Sequence, residues 1–501
     1  MPLPDLSVLK IAVVAISSRA HVLPRSLPAS LQRPARWAGA LGTLALLCAC
    51  AATPTYRPPD LPVPAAFKEA GALWAPAVPA DALERGPWWE LFGDAELNRL
   101  AGQVELSNQN IAAAVAANAQ AQAVVRQQRA GLFPLVSLSG GATRAGGDGN
   151  GRSGTATQAS VGVDWAPDLW GRLESSVTGA TASAQVTEAD LASARLSSVG
   201  SLASAYFQLR EADAEIDLLT ATVEGYERSL QIVNNRYAAG VVAQTDVLQA
   251  QTQLANARAD VATARLNRTR FEHAAAVLTG RAPADFAIAP APWVATVPAV
   301  PTGVPSTLLQ RRPDIAAAER AVAAANAQIG VQRAAYFPSL NLGASIGTGG
   351  GGVADLFRAS NAVWSLGLSV AQTLFDAGAT AARVEQAQAA RDVRVANYRQ
   401  TVLSAFQGVE DQITVLQTLQ AQAPLRQAAV SATERTAQQL LNRYREGQVN
   451  FTEVVSAQAS ALSAQRALLQ LQVSRQLAVV TLVQALGGGW QAPWAGPATP
   501  P

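Results

Sequence analysis

Apolar positions recur every seven residues through the first half of the chain, at Leu202, Leu209, Ile216, Val223, Leu230 and Tyr237. Val199 and Tyr206 open a companion row that Asp213 interrupts. A seven-residue repeat predicts a helix supercoiled left-handedly against partner helices. The run from Arg172 to Arg236 contains no proline, and about 65 residues of straight helix span roughly 95 Å, far more than a globular core requires. A second run, Ala379 to Arg443, keeps the register more weakly through Val402, Val409, Leu416, Ala423, Val430 and Tyr444. Its one proline, Pro424, is expected to kink or break it. Shorter helical patterns run from about Glu96 to Gly131 and Thr245 to Gly280, with counterparts near Pro313 to Ala335 and Thr452 to Gly487. Two short helices end to end about match one long one, so the pattern predicts a cylinder of antiparallel helices.

At Phe133-Pro134 the period changes from helical to alternating. Leu135 to Arg144 and Ala159 to Trp165 read as strands joined by a glycine-rich loop. The second half repeats this after Phe337-Pro338, with strands from Ser339 to Ile346 and Val363 to Leu374 around the loop glycines Gly349 to Gly352. Trp165, Trp170, Phe357, Trp364 and Phe375 fall near strand ends, as the aromatic girdles of a membrane barrel do. Four strands close no barrel, whereas three copies of the chain give twelve, an even number within the bacterial range. By themselves the strands fit two ordinary hairpins equally well; the long helices favour the barrel.

The halves are copies. Asn235-Arg236-Tyr237, Gly240, Thr245-Asp246-Val247 and Gln251 recur 207 positions later as Asn442-Arg443-Tyr444, Gly447, Thr452-Glu453-Val454 and Gln458. Each copy reads as a helix ending at the tyrosine, a turn at the glycine and a new helix capped by the threonine. The chain thus divides into a first repeat over 96–288 with a hairpin at 135–166, a Pro-rich linker at 289–304, and a second repeat over 305–489 with a hairpin at 339–375. A Pro-rich extended segment at 50–95 precedes them, and a flexible tail at 490–501 follows.

The N-terminus adds a compartment. Arg33 and Arg36 precede an apolar run ending Leu47-Cys48-Ala49-Cys50, the layout of a secretory signal over 1–49. This ending resembles the bacterial lipobox, with Cys50 as the acylated first residue of the mature chain; the alternative is an ordinary signal peptide with incidental cysteines. Past residue 50 no apolar run reaches transmembrane-helix length, so any membrane insertion is by strands. A formal net charge of +2 gives no electrostatic case for nucleic acid.

Enzyme chemistry finds little to stand on. His273 is the one histidine beyond the signal, so no His/Cys metal site is expected within the chain, nor any cofactor. Gly343-Ala-Ser345-Ile-Gly347 matches a nucleophile-elbow string but sits in an expected strand, not at a strand-to-helix turn.

Taken together, these residues resemble the outer-membrane efflux proteins, the TolC-like family, and within it the lipid-anchored NodT and OprM type. The likeness covers nearly the whole mature chain. It rests on Tyr56 with Pro58-Pro59, Trp88-Trp89, Asp168-Leu-Trp170-Gly-Arg172, Arg311-Arg312-Pro313-Asp314-Ile315, Phe337-Pro338-Ser339, both Asn-Arg-Tyr tips and Gly487-Gly-Gly-Trp490. The resemblance implies a homotrimer with a shared twelve-stranded outer-membrane barrel continued by a trimeric α-barrel tunnel in the periplasm. It implies passive export of compounds handed over by an inner-membrane pump and a periplasmic adaptor protein. A channel of the same build serving type I protein secretion is the alternative, and a structural coiled-coil lipoprotein is a third reading.

By position, the resemblance also implies a periplasmic gate at Thr245, Asp246, Tyr444 and Glu453, with Asp246 and Tyr444 as a linked pair. Val449 stands where the TolC pattern has an arginine, and Ser456 where it has a second acidic ring. The tips, Arg236, Tyr237, Gly240, Arg443 and Gly447, would receive the adaptor. Asp246 and Glu453 also suit a helix N-terminus for electrostatic reasons alone.

Overall fold

The computed structural model describes residues 55–61, 63, 64, 66–69, 87–146, 154–298, 311–490 and 494. The expected signal at 1–49, Cys50, the loop 147–153, linker residues 299–304 and most of the tail lie outside the described residues.

Two helices of 67 residues dominate, α3 (Arg172–Ala238) and α6 (Ala379–Arg445). At 1.5 Å per residue each is about 100 Å long. The shorter helices are α1 (Ala95–Ser107), α2 (Gln109–Ala130), α4 (Gln244–Leu278), α5 (Pro313–Arg333) and α7 (Phe451–Ala485). The expected supercoil rows on α3 are used most fully at their start: Val199, Leu202, Tyr206 and Leu209 are buried, as is the interrupting Asp213, whereas Ile216, Val223 and Leu230 are half-buried and Tyr237 is exposed.

Two expectations about these helices need correction. The stretch expected to be one helix from Glu96 is two, because Asn108 leaves the helix (φ −68°, ψ 125°) and its side-chain oxygen accepts the N–H groups of Asn110 and Ile111. That satisfies donors that a helix start otherwise leaves open. Conversely, α6 runs through Pro424 unbroken. A proline deletes a single backbone hydrogen bond, and a helix packed along its length on α5 and α7 keeps the rest.

The break at Asn108 serves a junction. The Asn108 amide donates to the Leu278 carbonyl at 2.7 Å, so the end of α4 abuts the start of α2. In the second repeat Arg312 donates to the Ala485 carbonyl at 2.7 Å, setting the end of α7 against the start of α5. Glycines make the contact possible: a Cβ on Gly280 would lie 2.2 Å from the Ser107 carbonyl oxygen, and one on Gly487 2.2 Å from that of Arg311. Each pair of short helices therefore stacks end to end beside a long one, as the length arithmetic requires.

Strands β1 (Leu135–Ala145), β2 (Gly154–Trp165), β3 (Ser339–Gly350) and β4 (Ala362–Ala371) form one antiparallel sheet in sequence order. β3 extends four residues beyond the expected Ile346 and takes in Gly349, while β4 stops at Ala371 rather than Leu374. Thr157 holds that end of the sheet by donating to the Gly350 and Gly352 carbonyls, both at 3.0 Å. Ser345 lies inside β3 with its hydroxyl 2.8 Å from that of Ser365, so no nucleophile elbow exists there. Where strands meet helices, Trp170 stacks on Phe337 at 4.8 Å and donates to the Pro338 carbonyl at 2.6 Å.

The main core surrounds the middle of α3, where Trp88, Phe92, Leu97, Leu100, Phe207 and Val480 are buried together. The N-terminal segment lies across the second repeat as a strap. Phe67 is buried against Val409, Ile413 and Leu482, and the N–H groups of Lys68 and Glu69 donate to the Glu410 carboxylate at 2.7 and 3.0 Å. Upstream, the Tyr56 hydroxyl donates to the Glu319 carboxylate. Burial, more than the adjacent carboxylate, pushes that phenol far above its ordinary value.

Candidate functional site

The two hairpin tips are built alike. After α3, the Gly240 and Val241 N–H groups return to the Tyr237 and Arg236 carbonyls, each at 2.9 Å; after α6, Gly447 and Gln448 return to Tyr444 and Arg443, also at 2.9 Å. Gly240 (φ 75°) and Gly447 (φ 78°) supply the left-handed turn that other residues adopt at a penalty. The threonines do not cap, contrary to expectation. The next helices start earlier: Ala243 precedes α4 without a side-chain cap, and Thr245 and Thr452 fall inside the first turns. Glu453 takes part of that role instead, its carboxylate accepting the Asn450 N–H at 3.4 Å.

Equal in backbone, the tips differ in what they bury. Tyr237 is 45% exposed whereas Tyr444 is 2% exposed, although the two are equivalent by repeat. Tyr444 joins Val233, Val247, Phe451 and Val454 in an apolar cluster that draws on both hairpins. Its ring lies 5.2 Å from Phe451 and under the Arg236 guanidinium, 4.7 Å from the ring centre. Arg236 also donates to the carbonyls of Tyr444 and of Arg445, the latter at 3.2 Å. One arginine of the first repeat thus grips the last turn of α6 by its carbonyls and its aromatic face.

The Tyr444 hydroxyl is enclosed and makes no hydrogen bond among the described residues. Burial raises the phenol above its ordinary value, and the negative charge of Asp246 adds to the rise while Arg236 opposes it. Asp246 is half-buried, and Thr245, Glu453 and Ser456 are exposed. Val449 packs against the apolar cluster and offers no charge. Within one chain the structure therefore brings Arg236, Asp246 and Tyr444 together, and leaves Thr245 and Glu453 facing outward. Of the expected adaptor-contact residues, Tyr237, Gly240, Arg443 and Gly447 are exposed, whereas Arg236 is turned inward.

Away from the tips, polar bridges tie the hairpins together. Thr452 donates to Gln249 at 3.3 Å, Gln253 to Gln458 at 3.2 Å, and Arg466 pairs with Glu215 at 2.6 Å and Asp260 at 3.4 Å. A groove of about 800 Å³ runs between α4 and α7, walled by Leu248, Thr252, Val455 and Leu462 with Arg466 at its far end. Sequence reasoning missed these bridges and the grip of Arg236. A signal was present, since Gln249 and Asn256, Gln253 and Asp260, and Thr452 with Ala459 and Arg466 all keep the seven-residue spacing.

Among the described residues no helix is long and apolar enough to cross a membrane, and no group of three His, Cys, Asp or Glu side chains is placed to hold a metal. Long paired helices, an open four-stranded sheet with one apolar face, and duplicated tips define the class: one protomer of a trimeric α-barrel channel whose strands contribute to a shared outer-membrane barrel. The family model described as outer membrane efflux protein matches residues 100–281 and 304–488, and the chain belongs to that family. It is 33% identical over 459 residues to the probable efflux pump outer membrane protein TtgC of Pseudomonas putida, covering 89% of this chain and 94% of that one. Among solved structures, the outer-membrane channel OprN superimposes with a TM-score of 0.81 at 30% identity, over 88% of this chain and all of that one. The open state of the MtrE channel of Neisseria gonorrhoeae matches with a TM-score of 0.77 at 27% identity, over 88% and 98% of the two chains. The protein is an outer-membrane channel component of an efflux system.

Proposed function

We propose that three copies of the chain form a passive conduit for small toxic compounds or drugs, and that the hairpin tips close its periplasmic end. The pump is of the exchanger type in the inner membrane, and a periplasmic adaptor reaches the exposed tip residues Tyr237, Gly240, Arg443 and Gly447. The observation that carries the gate is the enclosed, unbonded Tyr444 hydroxyl beside the Asp246 charge. An enclosed donor without a partner is a costly arrangement that a modest movement of α6 relieves. Thr245 and Glu453, exposed in the single chain, suit links to a neighbouring copy.

Two substitutions test the gate. Asp246→Ala combined with Tyr444→Phe is expected to raise single-channel conductance in planar bilayers severalfold and to sensitise cells to large antibiotics. Wild-type conductance from correctly assembled double-variant trimers would reject both residues as gate elements.

A further inference from the structure

Every strand residue belongs to one of two faces, because paired residues share a face and neighbours along a strand alternate. One face is apolar, joined across the sheet by Leu138 with Val161, Val161 with Ile346, and Ile346 with Trp364. The other is small and, apart from Asp164, uncharged, joined by Ser137 with Gly162, Gly162 with Ser345, and Ser345 with Ser365. In an outer-membrane barrel the apolar face meets lipid and the small polar face lines the lumen.

The four strands carry two charged side chains, Arg144 and Asp164. Arg144 pairs with Thr155 on the apolar face at the loop end, where its long arm reaches the interface. Asp164 is different. It pairs with Leu135 on one side and Gly343 on the other, which places it on the lumenal face at the end nearest the helices. Gly343 has no side chain to cover it: a Cβ there would sit 3.7 Å from the carboxylate.

We infer that Asp164 is a specificity-determining residue: three copies form a ring of negative charge at the helix-side mouth of the barrel, and the ring favours cationic over anionic solutes in transit. The inference rests on the three-chain channel proposed above. Twelve strands about 4.8 Å apart and tilted about 40° close at a radius near 12 Å, so the carboxylates stand about 10 Å from the axis. With the rest of the described lumenal strand face uncharged, nothing on the sheet offsets them. At about 0.01 M salt the screening length, roughly 30 Å, exceeds that distance, and at 1 M, near 3 Å, it does not.

The test is the reversal potential of full-length trimers in planar bilayers under a potassium chloride gradient. All arms carry Asp246→Ala, Tyr444→Phe and Glu453→Gln, which opens the tips and removes the acidic groups there. Asp164→Asn is expected to lower the potassium-to-chloride permeability ratio about fivefold near 0.01 M salt, with the difference vanishing near 1 M. Asp164→Lys is expected to reverse the preference. Identical reversal potentials in the three proteins, with conductance intact, overturn the inference and leave the channel standing. Trimers that conduct no ions at all overturn the channel reading and the inference with it.

Discussion

Asp213 stands in a row of otherwise apolar positions on α3, and two arginines explain it. Its carboxylate pairs with Arg210 at 3.1 Å and Arg268 at 2.6 Å, all three side chains being 15% exposed or less. The same guanidiniums donate to the carbonyls of Ala289 at 2.8 Å and Ile288 at 2.6 Å, so one buried acid fixes both arginines and, through them, the start of the linker. Removing one member of such a group strands the others more than it simplifies them. Asp213→Ala leaves Arg210 enclosed without a carboxylate, and a loss of about 3 kcal/mol is expected, read as a fall in the thermal midpoint of the helical signal. A midpoint within error of wild type would mean that water replaces the acid at no penalty. Asp213→Asn, which keeps the shape but not the charge, should fall between.

The helix junctions set the next scale, and glycine is their limiting residue. Gly240 and Gly487 both adopt positive φ, but a Cβ on Gly240 meets nothing within 4 Å while one on Gly487 strikes the Arg311 carbonyl. Alanine at Gly240 is therefore expected to cost about 1 kcal/mol of backbone strain. Alanine at Gly487 should cost clearly more, because the end of α7 must also move off α5. Equal thermal midpoints for the two variants would contradict the end-to-end stacking. Much of this architecture was legible in the chain: the 207-residue offset revealed the duplication, the seven-residue rows revealed the long helices, and alternation revealed all four strands. What escaped was of one kind. Asn108 sits in an Ala- and Gln-rich stretch that locally suits helix, and only its contact with Leu278, 170 residues away, explains the break. Pro424 was misread for the converse reason, since a local penalty is outweighed by packing along a whole helix. At the site, the repeat identified Tyr237 and Tyr444 as equivalent, yet burial of one and exposure of the other follow from how α3 meets α6, which no single copy encodes.

For the whole molecule, the strap and the sheet matter most. The strap crosses the second repeat between Tyr56 and Glu69, and Cys50 lies six positions before Tyr56 in the sequence. If Cys50 is acylated, Cys50→Ser is expected to abolish incorporation of labelled palmitate while the helical signal and trimer mass stay unchanged; persistent labelling would reject the anchor. The sheet carries a consequence of another sort. Its central pairing joins β2 to β3, so Val161 meets Ile346 across about 185 residues of intervening chain. A two-stranded hairpin is marginal by itself in water, and pairing partners so far apart in sequence find each other slowly. The first hairpin therefore has no partner for the open edge of β2 until the second repeat supplies β3. A chain that stops before the second repeat thus lacks the edge on which its own half of the sheet is completed, and so has no four-stranded segment of barrel wall to offer a neighbouring copy.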